Sequence, residues 1–578
     1  SQECLANTLA RLRESSKDAV VSADHTDNYS MYMHVNRPVQ EKFESILKAT
    51  YKLNHAVLIL LCGSVGDGKS HMLSYCREMY ATEMKQFYVH NDSTASLYVD
   101  KPASYTLLTI MNDFADDKIE SSTSKVILAI NLGTLSNFLD SDKENRFSKL
   151  KAYVDAAGIL DERAGEEPVD SYFYSVNFAD YHLYELSQDG ISSEYIKGIF
   201  EKIVCKSTDN VFYSSYCACC KECEAGKQCP VKLNYEMLSD SKIQDGIIKT
   251  LVEDIVKNKL IVSTRSLLNM IYEILVDERN WDRGSLEPRK EPLKLNSADY
   301  CEALLPNTLF GKRNSSEILR SMKTVDPLQI RNEDIDDFIV YYENADMVLE
   351  IFKKDLNEYN FLLERFKDID FSDPSMRSVK EEILKIYIRL CWLAECRSDL
   401  LPQDQDYIEF MSAIYAWNTG DINALKKVYA GVEKGVLAWN GHVEKNEMQL
   451  AIGNKKSDFH LIQKISIKQS LDNLPEKRVG LIVSFKDELR LKYKYDGTKT
   501  TEIDVDYALF TLLKKVLNGY VPSINDKKVN VKCVEFIKKI SQGGSKMEEL
   551  YIRDLSKKET YKYVVEYDEN YGYSFEVR

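Results

Sequence analysis

The chain has 578 residues, 44% of them hydrophobic and 29% charged, with a formal net charge of −15. That is enough material for several domains with sizeable cores. The acidic balance argues against a protein that coats nucleic acid by itself, because such binding comes mainly from neutralising phosphates, and no apolar run reaches the roughly 18 to 20 residues that a membrane-spanning helix needs.

Residues 1–50 read as an exposed helix, a linker and a second helix. In NRPVQEKF, Pro38 stands near a helix start, where its missing N–H costs nothing. The opening SQECLANTLARLRESSKDAV is charged and lacks the apolar stretch of a secretory signal, so a cytoplasmic location is expected, with no membrane association.

Residues 51–202 alternate short apolar runs with helical patterns: AVLILLC (strand), HMLSYCREMY (helix), QFYVHND (strand), YTLLTIMNDFADD (helix), KVILAIN (strand), LGTLSNFLDS (helix start), FYSVNFA (strand). This predicts a P-loop NTPase core of α/β class, a parallel sheet with helices on both faces. The motif that decides it is Gly63, Ser64, Val65, Gly66, Asp67, Gly68, Lys69, Ser70, which fits GxxxxGK[ST]. Such a loop wraps a phosphate with consecutive backbone N–H groups, and glycines leave room for that approach. The helix that follows presents its positive end, Lys69 extends to the β and γ phosphates of ATP, and Ser70 holds Mg²⁺. Met72, Leu73, Cys76 and Met79 fall on one face of that helix, and His71 is expected on its surface.

Hydrolysis needs an acid on a neighbouring strand to organise Mg²⁺. KVILAIN ends in Asn131 where that acid would stand, so Asn131 is read as a polar sensor of the γ phosphate or as a strand-end turn residue. Asp92, closing FYVHND, is the candidate Mg²⁺ organiser, against a helix cap or loop carboxylate. In STRSLLNMIYEIL, Arg265 opens a helix after the core, where multimeric P-loop ATPases often supply an arginine to the phosphates. A surface arginine or salt bridge is the alternative.

Six of the 13 cysteines fall in a short insert, residues 203–232, five of them in the stretch YCACCKECEAGKQCPVKLNY. Cys217, Cys220, Cys223 and Cys229 have a spacing that lets thiolates converge on one Zn²⁺ as a structural staple, with Cys205 or Cys219 able to replace one. An iron–sulfur cluster and plain reduced thiols are the alternatives.

Residues 233–470 are mainly helical, a lid and a helical domain, as in VKEEILKIYIRLCWLAEC. Residues 471–578 mix strand-like alternation with two helices and read as a small α+β C-terminal domain. Its net charge is about +2, against about −17 for the rest, so direct DNA contact is expected there or on partner subunits.

Through LARLRESSKDAV, MYMHVNRPVQEKF, LLCGSVGDGKSHMLSY, VHNDSTAS, KVILAINLGTLSNF and the insert ending CPVKLNY, and on through LPNTLF and VDPLQIR, the chain resembles the DptF family, ATPase components of bacterial DNA phosphorothioation-dependent restriction. The resemblance implies an anti-phage defence factor that acts with two companion proteins against DNA lacking sulfur in its backbone, with Gly63, Gly68, Lys69 and Ser70 binding ATP and no nuclease on this chain. The residues agree: there is no PD…ExK arrangement, and the eight histidines are scattered. Two other classes remain open. One is a signalling or scaffold NTPase whose nucleotide state controls assembly with partners or with further copies of itself; the other is a module holding ATP structurally.

Overall fold

The computed structural model describes residues 3–13, 28–64, 66–91, 103–160, 168–278, 295–310, 316–330, 332–450, 458–543 and 549–577. The chain divides into two compact units, residues 1–161, 166–403 and 482–484 in the first and 162–165, 404–481 and 485–578 in the second.

The first unit is built on a parallel sheet of four strands, β1 (Val57–Cys62), β2 (Tyr88–Asn91), β3 (Lys125–Ile130) and β4 (Phe173–Asn177), in the order β2-β3-β1-β4. The apolar run of β1 is buried along its whole length, and its side chains alternate between two cores. Val57, Ile59 and Leu61 pack with Val39, Phe43 and Leu47 of the helix Pro38–Thr50 and with Met72, Leu73 and Cys76 of the helix Lys69–Met79. Leu58, Leu60 and Cys62 face the other way, against Met111, Phe114, Leu135 and Phe138. Helices therefore cover both faces, as a strand apolar on both sides requires. Pro38 is at the start of its helix, as its sequence context predicts.

The strands are parallel, so their carboxyl ends share one edge of the sheet. The chain goes to one side of β1 for β2 and β3 and to the other for β4. Ligands of open α/β sheets bind at such an edge, near such a reversal.

Three expectations are corrected. The first helix, Leu5–Leu9, is not exposed: Leu5, Ala6 and Leu9 are buried, because this short segment packs on residues 211–220. Met79 lies 51% exposed at the end of its helix, beyond the reach of the sheet. The second unit starts at 404, well before 471: helices Gln405–Asn418 and Ile422–Leu437 pack with the C-terminal strands. That unit holds antiparallel sheets of three and five strands. From the same C-terminal stretch, Ile482–Ser484 pairs instead with Tyr181–Ser187 in the first unit.

Among the described residues no helix is long and apolar enough to cross a membrane.

Candidate functional site: a glycine-rich loop at the carboxyl edge of the sheet

The loop leaves β1 at Gly63, whose N–H donates to the Ile130 carbonyl at the end of β3. Two glycines make the turn possible. Gly66 and Gly68 have φ of +84° and +94°, in the left-handed region that side chains resist. Gly63 is required for a different reason: a Cβ there would stand 2.0 Å from Asp67 Oδ2 and 2.8 Å from Phe178 Cβ.

Gly68 caps the helix Lys69–Met79, and Lys69 folds back over the loop. Its Nζ donates to the Ser64 carbonyl at 2.7 Å and to both carboxylate oxygens of Asp67 at 2.9 and 2.8 Å. The Lys69 backbone N–H also donates to Asp67 Oδ1, at 3.2 Å. The lysine side chain is 10% exposed and the aspartate 18%. A carboxylate thus sits where the helix N-terminus, a backbone N–H and an ammonium converge, the environment that favours an anion.

Ser70 follows, and its Oγ accepts a hydrogen bond from Asn91 Nδ2 at 2.7 Å. Asn91 ends β2, two strands away in the sheet. Asp92, the expected Mg²⁺ organiser, and Val65 lie outside the described residues.

Asn131 stands at the end of β3, on the same edge as the loop. It caps the helix Leu132–Asp140, its Oδ1 accepting from the Thr134 N–H at 2.7 Å. This cap engages the acceptor half of the amide.

The most consequential residue not anticipated is Arg37, just before the helix Pro38–Thr50. Its Nη1 donates to the Asp67 carbonyl at 3.2 Å, and a Cβ on Gly68 would lie 3.4 Å from that nitrogen. The guanidinium lies over the Tyr195 ring, 5.3 Å from its centroid. Burial lowers its pKa, and Tyr195 and Asp67 oppose that shift. Tyr195 OH is 2.7 Å from Thr264 Oγ1, in the first turn of the helix Thr264–Leu275. Arg265 is the next residue on that helix and is exposed. The contacts that reach the loop are those of its neighbour Thr264, through Tyr195 and Arg37, and not of Arg265 itself. No motif spacing signals this chain of contacts.

His71 is at the surface, as expected, but it is partnered: its Nε2 lies 3.2 Å from His34 Nδ1. His34 stacks on Tyr75 at 3.6 Å.

No family model, curated protein or solved structure matches the chain.

The cysteine-rich segment forms a second site in the same unit. A cavity of about 10 Å³ is lined by Cys4, Cys219, Cys220, Cys223 and Cys229, with Leu5, Ala225, Gly226, Val231 and Lys232. Cys217 is not among them: it lies with Tyr213, Tyr216 and Tyr235. Cys205 is also elsewhere, beside Tyr32 OH and Asn210. The sequence spacing gave no hint of Cys4, more than two hundred residues away. Burial, then the neighbouring thiols, push Cys4 up to about 11. Cys220 rises as well, from burial and then from Cys229, Cys219, Cys4 and Cys223. Among the described residues, no group of three or more His, Cys, Asp or Glu is already arranged to hold a metal ion.

Proposed function

We propose that the loop 63–70 binds the phosphates of ATP with Mg²⁺, and that the first unit is a P-loop ATPase. The observation that carries this reading is the seat of the Asp67 carboxylate, held by Lys69 Nζ and the Lys69 N–H at the start of a helix on the carboxyl edge of a parallel sheet. A phosphate is the natural occupant of such a seat. Nucleotide entry would swing Asp67 out and hand Lys69 to the β and γ phosphates. Ser70, steadied by Asn91, would hold Mg²⁺, with Asp92 supplying the acid.

The likeness of the quoted segments to DptF proteins supports placing this ATPase in the cytoplasm, in a bacterial restriction complex that acts on DNA lacking phosphorothioate. Companion proteins would bring the chemistry on DNA. The net charge of −15 supports action through partners.

A second reading, a nucleotide-dependent assembly switch with slow turnover, is supported by two observations. The residue ending β3 is Asn131, not an acid, and its Oδ1 is committed to a helix cap. Asp67 also competes for Lys69.

The test is ATP binding and hydrolysis by the wild type and Lys69→Ala, alone and with companion proteins and DNA, modified or not. Binding lost in Lys69→Ala with the fold intact supports the nucleotide site, and unchanged binding overturns it. Turnover stimulated by unmodified DNA supports the restriction reading. Binding without turnover in every mixture supports the switch.

A further inference from the structure

Five cysteines from two distant parts of the chain line the small cavity beside the first helix. Among Cys4, Cys220, Cys223 and Cys229, every one of the six pairs interacts electrostatically. Cys219 adds contacts to Cys4 and Cys220. Two of the four receive backbone hydrogen bonds, Cys4 from Ala6 and Cys229 from Val231 and Lys232. Cys229 also precedes the helix Pro230–Leu238, and Lys232 is among the residues lining the cavity.

Cys4 is held there by independent contacts. Leu5 and Leu9 are 1% and 0% exposed. Thr8 Oγ1 donates to Ser215 Oγ at 2.9 Å, and Ser215 Oγ donates to the Glu3 carbonyl at 3.2 Å. The short helix is thus fastened to residues 211–220 on both sides of Cys4.

We propose that Cys4, Cys220, Cys223 and Cys229 bind one Zn²⁺ as a four-thiolate structural site that ties the Cys4 segment to the cysteine-rich insert. Cys217, the residue that spacing alone selects, is not a ligand. The side chains as they stand do not form a metal cage, so on binding the sulfurs would have to close to the roughly 2.3 Å that Zn–S bonds need, with the four thiol protons leaving to solvent. The cavity has space for about one water-sized sphere, which suits a single ion. The site is independent of the nucleotide reading.

The test uses the full chain purified without chelator. Elemental analysis should give one zinc per chain, and X-ray absorption at the zinc edge should give four sulfur neighbours. Alkylation of the native protein, read by peptide mass spectrometry, should spare Cys4, Cys220, Cys223 and Cys229 and label Cys217; chelator should then expose all four. Cys4→Ser should lose the zinc, and Cys217→Ser should keep it. Absence of stoichiometric zinc, an iron–sulfur absorption, two disulfides among the four, or zinc lost from Cys217→Ser and kept in Cys4→Ser would each overturn the proposal. If Cys4→Ser does not fold, the alkylation pattern of the wild type decides.

Discussion

Lys69 grips the side chain of Asp67, only two residues before it, with Nζ 2.9 and 2.8 Å from the two carboxylate oxygens. Asp67 therefore holds the place an incoming phosphate would take, and both anions compete for one ammonium. Asp67→Asn removes the competing charge while keeping the side-chain size that fits against Gly63. The expected outcome is about fivefold tighter ATP binding, corresponding to about 1 kcal/mol for a partly exposed ion pair. Calorimetric titration measures it, and weaker binding would show that Asp67 helps the nucleotide.

Asn91 and Ser70 make a second arrangement with a consequence for the metal. The amide occupies one lone pair of the Ser70 hydroxyl and leaves the other to face a cation. Outer-shell partners of this kind typically change metal affinity by about 10- to 100-fold. Asn91→Ala should raise the Mg²⁺ concentration needed for tight ATP binding by about tenfold, at the low end of that range. Magnesium titrations at fixed nucleotide would show it, while binding measured without magnesium should barely move.

Arg37, Tyr195 and Thr264 connect the loop to a helix far along the chain. Tyr195→Phe keeps the ring under the guanidinium and loses only the hydroxyl contact, a cost of about 1 kcal/mol in stability. Arg37→Ala leaves the Asp67 carbonyl without its donor and should weaken ATP binding. Since Arg37 and Tyr195 touch, their effects should not add: a double-mutant cycle on ATP affinity should give a coupling energy of at least about 0.5 kcal/mol. A coupling of zero would mean the contacts are structural and do not report on the loop.

What the sequence revealed, and what it hid, follows the range of each interaction. β1, the loop and its helix are local: apolar run, glycines and 3.6-residue periodicity lie within one stretch, and each element forms where the pattern places it. Arg37 and Cys4 are non-local. Each reaches its site only because a distant segment folds back, and no spacing rule encodes that. Cys217 shows the converse. It has good ligand spacing, but the turn through Tyr216–Cys220 carries it toward the tyrosines while Cys220 faces the cavity. The boundary at 404 was hidden because helices on either side of it share one periodicity, which says which face is buried and nothing about what covers it.

His34 and His71 give a dependence on pH. The His34 imidazole is pushed down to about 4, first by burial and then by His71, while Asn36, Gln40 and Glu44 pull it back up. Its ordinary value is near 6.5. In the unfolded chain the ring takes up a proton at that higher pH, so between pH 6.5 and 4 the unfolded state binds more protons than the folded one. The stabilisation is therefore complete above pH 6.5 and is lost as pH falls toward 4. His34 is half-buried, so solvent screening trims the effect to about 1 kcal/mol over that window. Denaturant melts of wild type and His34→Gln at pH 7.5 and pH 5 should separate this term from the titration of the carboxylates. The drop on acidification should be smaller in the variant by about that amount. An equal drop in both proteins would place the titrating group elsewhere.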